Sequence, residues 1–317
     1  MPELTGDLPY VVVHGGVHKT ATSFIQGRLQ RNAGRMRKQG LHYLNHRQVR
    51  KEYTFPSQLH GYEKIGLDYK TKITAEELDK LARDFFGSIG AEPGQRIILS
   101  DENMPGHSGH CVRSGKLYQR RATLIPIFAQ FIPYPVTEVH LAIRNYADFF
   151  ASTYVEFLRS ATGDKVFPEA QMKRQVLSKV PSWVRFIAIV QKAFAGAELI
   201  LWRHEDFGKL SNRIIGNLCG PDFDVATMAE PKRQRGRPSA SHRAVQELLM
   251  EIERSGGTAA LARRVEIQEK YPRGPDYPGY DPWEPAERAH LTRLYDSDIE
   301  TIKNTMKVTF LDPDSNR

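Results

Sequence analysis

Cysteine is scarce. Cys111 and Cys219 are the only two in 317 residues, which excludes a disulfide framework and suits a reducing cytoplasm. Long apolar runs are missing too. None approaches the ~20 residues a membrane span needs, and the stretch 1–8 carries Glu3 and Asp7 in place of a signal-peptide core. No internal repeat is visible. A nucleotide triphosphatase loop is also missing its glycines. That loop needs one directly before its lysine and another five positions earlier, and around Lys19 those positions are His18 and Val13.

Basic residues, by contrast, are in excess. The net charge of +8 favours anionic partners such as nucleotides, acidic glycans, nucleic acid or an anionic membrane surface. The chain is long enough for one large α/β domain, expected over 1–317.

The organising stretch is Tyr10–Ser23 (Y-V-V-V-H-G-G-V-H-K-T-A-T-S). Tyr10–Val13 reads as a short buried parallel strand. Gly15 and Gly16 permit a tight turn. From Thr22 the apolar residues Phe24, Ile25, Leu29 and Ala33 recur at helical spacing. A strand, a glycine turn and a helix N-terminus together make an anion site, because free N–H groups and the helix dipole point the same way. Lys19 adds a point charge, and Thr20, Thr22 and Ser23 add hydroxyls. An incidental βα turn is the bland alternative.

His18-Lys19-Thr20-Ala21-Thr22-Ser23 resembles the 5′-phosphosulfate loop of sulfotransferases that use PAPS (3′-phosphoadenosine 5′-phosphosulfate). That family reads Pro/His-Lys-(Ser/Thr)-Gly-Thr-(Thr/Ser), so Ala21 stands where glycine is usual. The resemblance implies a three-layer α/β/α fold around a central parallel sheet, with the cofactor at the strand carboxyl ends.

Three later stretches extend it. Arg96–Ser100 (R-I-I-L-S) reads as a core strand ending in Asp101-Glu102-Asn103, and such ends face the ligand crevice in open α/β sheets. It is similar to the S-x-E-N stretch of bacterial sulfotransferase-like sequences. Glu102 is then the base that takes the acceptor's proton, or it only orients Lys19 or caps a helix. Alternatively, Asp101 ends a Walker-B-like strand and holds magnesium, which suits a P-loop kinase using ATP. His107 in the loop Pro105–Cys111 is placed to share in proton transfer. With His110 and Cys111 it suggests a metal, but no matching ligand set at zinc spacing occurs elsewhere.

Glu138–Ile143 reads as the next core strand, ending in Arg144. PAPS sulfotransferases place an arginine at a strand end and a serine eight residues on, and Arg144 and Ser152 keep that spacing. The resemblance gives them the ribose 3′-phosphate, gripped by a planar fork of donors and a hydroxyl. Tyr146 stands where the family usually has proline. The Trp183 and Phe186 stripe reads as core.

The run Pro231-Lys-Arg-Gln-Arg-Gly-Arg-Pro238 admits three readings: a cofactor lid with Arg235, Gly236 and Arg237 on the 3′-phosphate, a solvated basic loop, or an AT-hook in A·T-rich DNA. Residues 45–72, 104–115 and 255–285 are expected as loops, short helices or insertions near the acceptor side. The expected activity is transfer of a sulfuryl group from PAPS to a hydroxyl or amine of a glycan or small molecule, leaving PAP and requiring no metal.

Overall fold

Apolar segments a few residues long build one sheet. In the computed structural model, which describes residues 7–15, 17–163, 166–231 and 239–314, its strands are β1 (Tyr10–His14), β2 (Leu41–Leu44), β3 (Arg96–Ser100), β4 (Val136–Ile143), β5 (Glu198–Arg203) and β6 (Thr309–Leu311). Every pairing is parallel, in the order β2-β3-β1-β4-β5-β6.

The helices, in chain order, begin with α1 (Thr22–Arg37) and α2 (His46–Val49). A π turn (Arg50–Thr54) leads into α3 (Phe55–Lys64), followed by α4 (Ala75–Gly87), α5 (Gly109–Ser114) and α6 (Arg121–Gln130). Then come α7 (Tyr146–Ser160), α8 (Glu169–Lys179), α9 (Trp183–Ala193) and α10 (Phe207–Cys219). The last are α11 (His242–Ser255), α12 (Gly257–Ala262), α13 (Arg264–Lys270) and α14 (Pro285–Thr305).

Both faces of the sheet are covered, which is why its strands read as continuous apolar runs. Alternate side chains point to opposite faces. Val11, Val13, Ile97, Leu99, Leu141 and Leu201 join the larger core with Phe86, Phe128, Phe149, Trp183 and Tyr295. Val12, Ile98, Ala142 and Trp202 join a second core with Ile25 and Leu29 of α1 and Ile214 and Leu218 of α10. Three layers result.

The strand order creates a crevice. The connection after β1 runs to α1 on one face, and the connection after β4 runs to α7 on the other. Two neighbouring strands whose exits diverge leave a gap at their carboxyl ends, where ligands bind in such sheets.

Several elements depart from expectation. Helices α5 and α6 are separated by a turn that begins where Gly115 goes left-handed at φ 65°. A Cβ there would meet the Gln175 backbone at 2.3 Å, so α8 packs directly on the turn. Residues 45–72 are helical as far as Lys64, and 255–285 contain α12 and α13. Strand β6 has no counterpart among the expected elements. Asp206 precedes α10 without capping it, since its carboxylate pairs with Arg203 at 2.6 Å. Thr74 does cap α4, in a reciprocal capping box with Glu77.

Candidate functional site

The loop between β1 and α1 is built as an anion nest. Lys19 and Ala21 both take left-handed backbone angles, φ 67° and 65°, on either side of Thr20. Such alternation turns successive N–H groups toward one point. Among the described residues, no acceptor pairs with the backbone N–H of Lys19, Thr20, Ala21, Thr22 or Ser23. The hydroxyls shape the loop rather than face outward: Thr20 Oγ1 donates to the Val17 carbonyl at 2.5 Å, and Thr22 Oγ1 reaches the same oxygen at 3.5 Å. Ser23 lines a neighbouring cavity. Gly16 lies outside the described residues, as do Arg235, Gly236 and Arg237, the candidates for a cofactor lid.

Ala21 is therefore strained where glycine would not be. A left-handed L-residue costs about 1–2 kcal/mol, while glycine's extra unfolded-state freedom costs about 0.4–1 kcal/mol. Ala21→Gly is expected to stabilise the chain by roughly 0.5–1 kcal/mol, a rise of about 1–2 °C in melting temperature. An unchanged or lower melting temperature would contradict the strain.

His18 is clamped. The Tyr118 hydroxyl accepts from its backbone N–H and donates to its Nδ1, both at 2.9 Å. Nε2 then carries the proton and donates to Asn103 Oδ1 at 3.2 Å. Burial pushes the His18 ring down to about 4, against the pull of Glu102. It is neutral at physiological pH, as this tautomer requires. Tyr118, itself at φ 45° and almost wholly buried, was not legible as a site residue. Tyr118→Phe leaves a buried N–H without an acceptor. A loss of about 1–3 kcal/mol of stability is expected, measurable by chemical denaturation.

Lys19 Nζ reaches across the crevice to Glu156 Oε2 of α7 at 3.3 Å. Both side chains are about one-third exposed or less, at 27% and 33%, so the pair is weak and breakable. Arg144 leaves the end of β4 and donates through Nη1 to the Lys19 carbonyl at 2.5 Å. Its Nε is buried without a partner among the described residues. Burial pulls the guanidinium below its usual range, against nearby Asp148 and Glu205. The Trp183 indole N–H donates to the Arg144 carbonyl at 2.9 Å and fixes the strand end. Ser152 lies one turn from Glu156 on the same face of α7, and half-buried. Lys19 and Arg144 are thus brought together, with Ser152 one turn along α7 from the partner of Lys19. Tyr146, where proline is usual, donates to Asp298 at 2.5 Å and holds α14.

Glu102 stands at the end of β3 between two donors. Arg50 Nη2 reaches Oε1 at 2.9 Å and Gln26 Nε2 reaches Oε2 at 3.0 Å. Burial alone would raise its carboxyl, but Arg50, His18 and Gln26 together hold it below 4.5. The same Arg50 nitrogen bonds Asp101 Oδ1 at 2.9 Å, and Asn103 bonds that oxygen too. Asp101 Oδ2 is buried and unpartnered. Arg50, carried on the π turn, was not foreseen. His107 is exposed, with its ring 6.3 Å from that of His18. Its Nδ1 accepts from the Gly109 N–H at 3.1 Å, so the neutral ring's proton is on Nε2. In that tautomer Nε2 is the donor, and the Nδ1 lone pair is engaged by the loop backbone.

Cys111 Sγ accepts from the Tyr118 N–H at 3.2 Å, and burial pushes its thiol up to about 12. No group of three His, Cys, Asp or Glu side chains among the described residues could hold a metal. No helix of the described residues is long and apolar enough to cross a membrane. Comparison of the chain with protein-family profiles, curated proteins and solved structures finds no match in any of the three.

Proposed function

We propose that the chain is a PAPS-dependent sulfotransferase. The observation that carries this reading is the 2.5 Å bond from Arg144 Nη1 to the Lys19 carbonyl. It joins the ends of two strands, 125 residues apart in the chain, into one cationic crevice. A nucleotide bisphosphate needs two anion grips at a set separation, and two groups of donors support that reading. The unpaired N–H groups of Lys19–Ser23 suit the 5′-phosphate. The buried, unpartnered Nε of Arg144, with the Ser152 hydroxyl, suits the 3′-phosphate.

The cofactor supplies an activated sulfuryl group on a phosphate leaving group. Each protein group then has one task. Lys19 releases Glu156 and neutralises charge that grows on the leaving oxygen, a donor already in place where charge develops. Glu102 is ionised at neutral pH and takes the proton of the acceptor hydroxyl. Arg50 and Gln26 hold its carboxylate in place, and two of its four acceptor positions remain open. His18, neutral and clamped by Tyr118, sets the loop that carries Lys19.

Calorimetric titration with PAP tests this directly. Micromolar binding is expected. Binding of ATP with magnesium, without any binding of PAP, would overturn the reading in favour of a kinase.

A further inference from the structure

Beside Glu102 lies a cavity of about 570 Å³, within the 300–1,000 Å³ of small-ligand sites. Its walls are one side of α1, the segment around α2 and the end of β3. Its charge is unbalanced. Arg31, Arg47 and Arg50 line it, with Glu102 as the one carboxylate of the lining. Arg50 is committed to Asp101 and Glu102. Arg31 and Arg47 are exposed, and among the described residues neither guanidinium has a hydrogen bond or ion pair. His46 adds a ring whose Nδ1 is buried without a partner. Neutral donors complete the wall. Among the described residues the Ser23 hydroxyl has no hydrogen-bond partner, and neither do the amide N–H groups of Gln30, whose oxygen Asn45 occupies at 2.8 Å.

We propose that this cavity is the acceptor subsite, and that it selects a sugar-sized acceptor carrying a carboxylate or sulfate ester beside the hydroxyl presented to Glu102. The inference rests on reading Glu102 as the base. A neutral sugar would leave the two guanidinium groups uncompensated, whereas an anionic one forms charge-assisted contacts with them. The cations also oppose the charge of Glu102, which would otherwise repel such an acceptor.

The test uses the full chain with glucose 6-sulfate, glucuronate and glucose as probes, followed by ligand-detected nuclear magnetic resonance and run with and without PAP. Both anionic sugars are expected to bind at least about 10-fold more tightly than glucose, at the 1.5–3 kcal/mol of a charged hydrogen bond. The double variant Arg31→Gln/Arg47→Gln should bring them to the level of glucose. Its melting temperature and PAP affinity should not change. Equal binding of glucose by the parent chain overturns the inference, as does a double variant that keeps its preference. A parallel loss of PAP affinity also overturns it, by assigning the arginines to the cofactor. If PAP fails to bind while the preference is intact, the sulfotransferase reading falls and an anion-selective sugar site stands. If PAP binds and no preference appears, only the subsite falls.

Discussion

Arg144→Ala is expected to weaken PAP binding by roughly 30- to 4,000-fold, the loss that follows when one partner of a buried, hydrogen-bonded charge pair is truncated, about 2–5 kcal/mol. The free protein should respond in the opposite sense. Arg144 holds a guanidinium in a partly desolvated place, with a buried Nε that bonds nothing. Burial already disfavours its charge, so removing it relieves a cost even as the bond to the Lys19 carbonyl is lost. Denaturation of the unliganded variant should therefore show little loss of stability. An arginine kept for structure would behave differently, losing stability and leaving the PAP affinity intact. Arg144→Lys separates charge from shape. It returns a point charge without the planar fork, so an affinity between those of the parent and the alanine variant is expected. Equal PAP affinity in all three proteins would remove Arg144 from the site.

The sequence is most legible where local chemistry and tertiary packing agree. The bounds of β3 follow from a short apolar run between turn residues, and it is buried as a core strand should be. The start of α4 is readable because Thr74 and Glu77 satisfy each other's backbone groups. The order of Lys19, Glu102 and Arg144 along successive strand ends is visible once those strands are placed. What escapes is set by long-range geometry. The π turn at Arg50–Thr54 inserts an extra residue, so Leu59 falls out of 3.6-residue phase with Val49 and Tyr53 and the helical face cannot be read. Arg50 is hidden with it. Tyr118 meets His18 across 100 residues, and Glu156 meets Lys19 across 137. No spacing rule reaches that far. Ala21 is instructive in another way. The glycine it replaces was expected for close backbone approach, and the left-handed angle survives without it, at a cost in strain.

Glu102→Gln should lower the rate of transfer by about 10²- to 10⁴-fold, the range of a lost general base, while PAP affinity stays as it was. Glutamine keeps an oxygen for Arg50 but cannot hold a proton taken from the acceptor. The pH dependence carries the second half of the test. Burial would raise the Glu102 carboxyl, and Arg50, His18 and Gln26 outweigh it, leaving a value below the ordinary 4.5. A depressed carboxyl keeps its base form as pH falls, until pH drops through the lowered value. The parent rate should therefore hold through neutrality into mild acid, with the midpoint of its decline below the ordinary carboxylate value. The same sign governs stability: whatever the Arg50–Glu102 pair contributes is present above the unfolded carboxyl's value and fades as pH falls through the folded one. Arg50→Lys keeps one charge but cannot fork across Asp101 and Glu102 as the guanidinium does. Burial is then less opposed, and the acid limb should move to higher pH. Arg50→Ala would confound this measurement, because Asp101 is fully buried and its ion partner would be gone, a loss of about 3–5 kcal/mol. A Glu102→Gln enzyme with the parent's rate, or an acid limb that Arg50→Lys leaves in place, would take the base out of Glu102 and put it on the acceptor or its solvent.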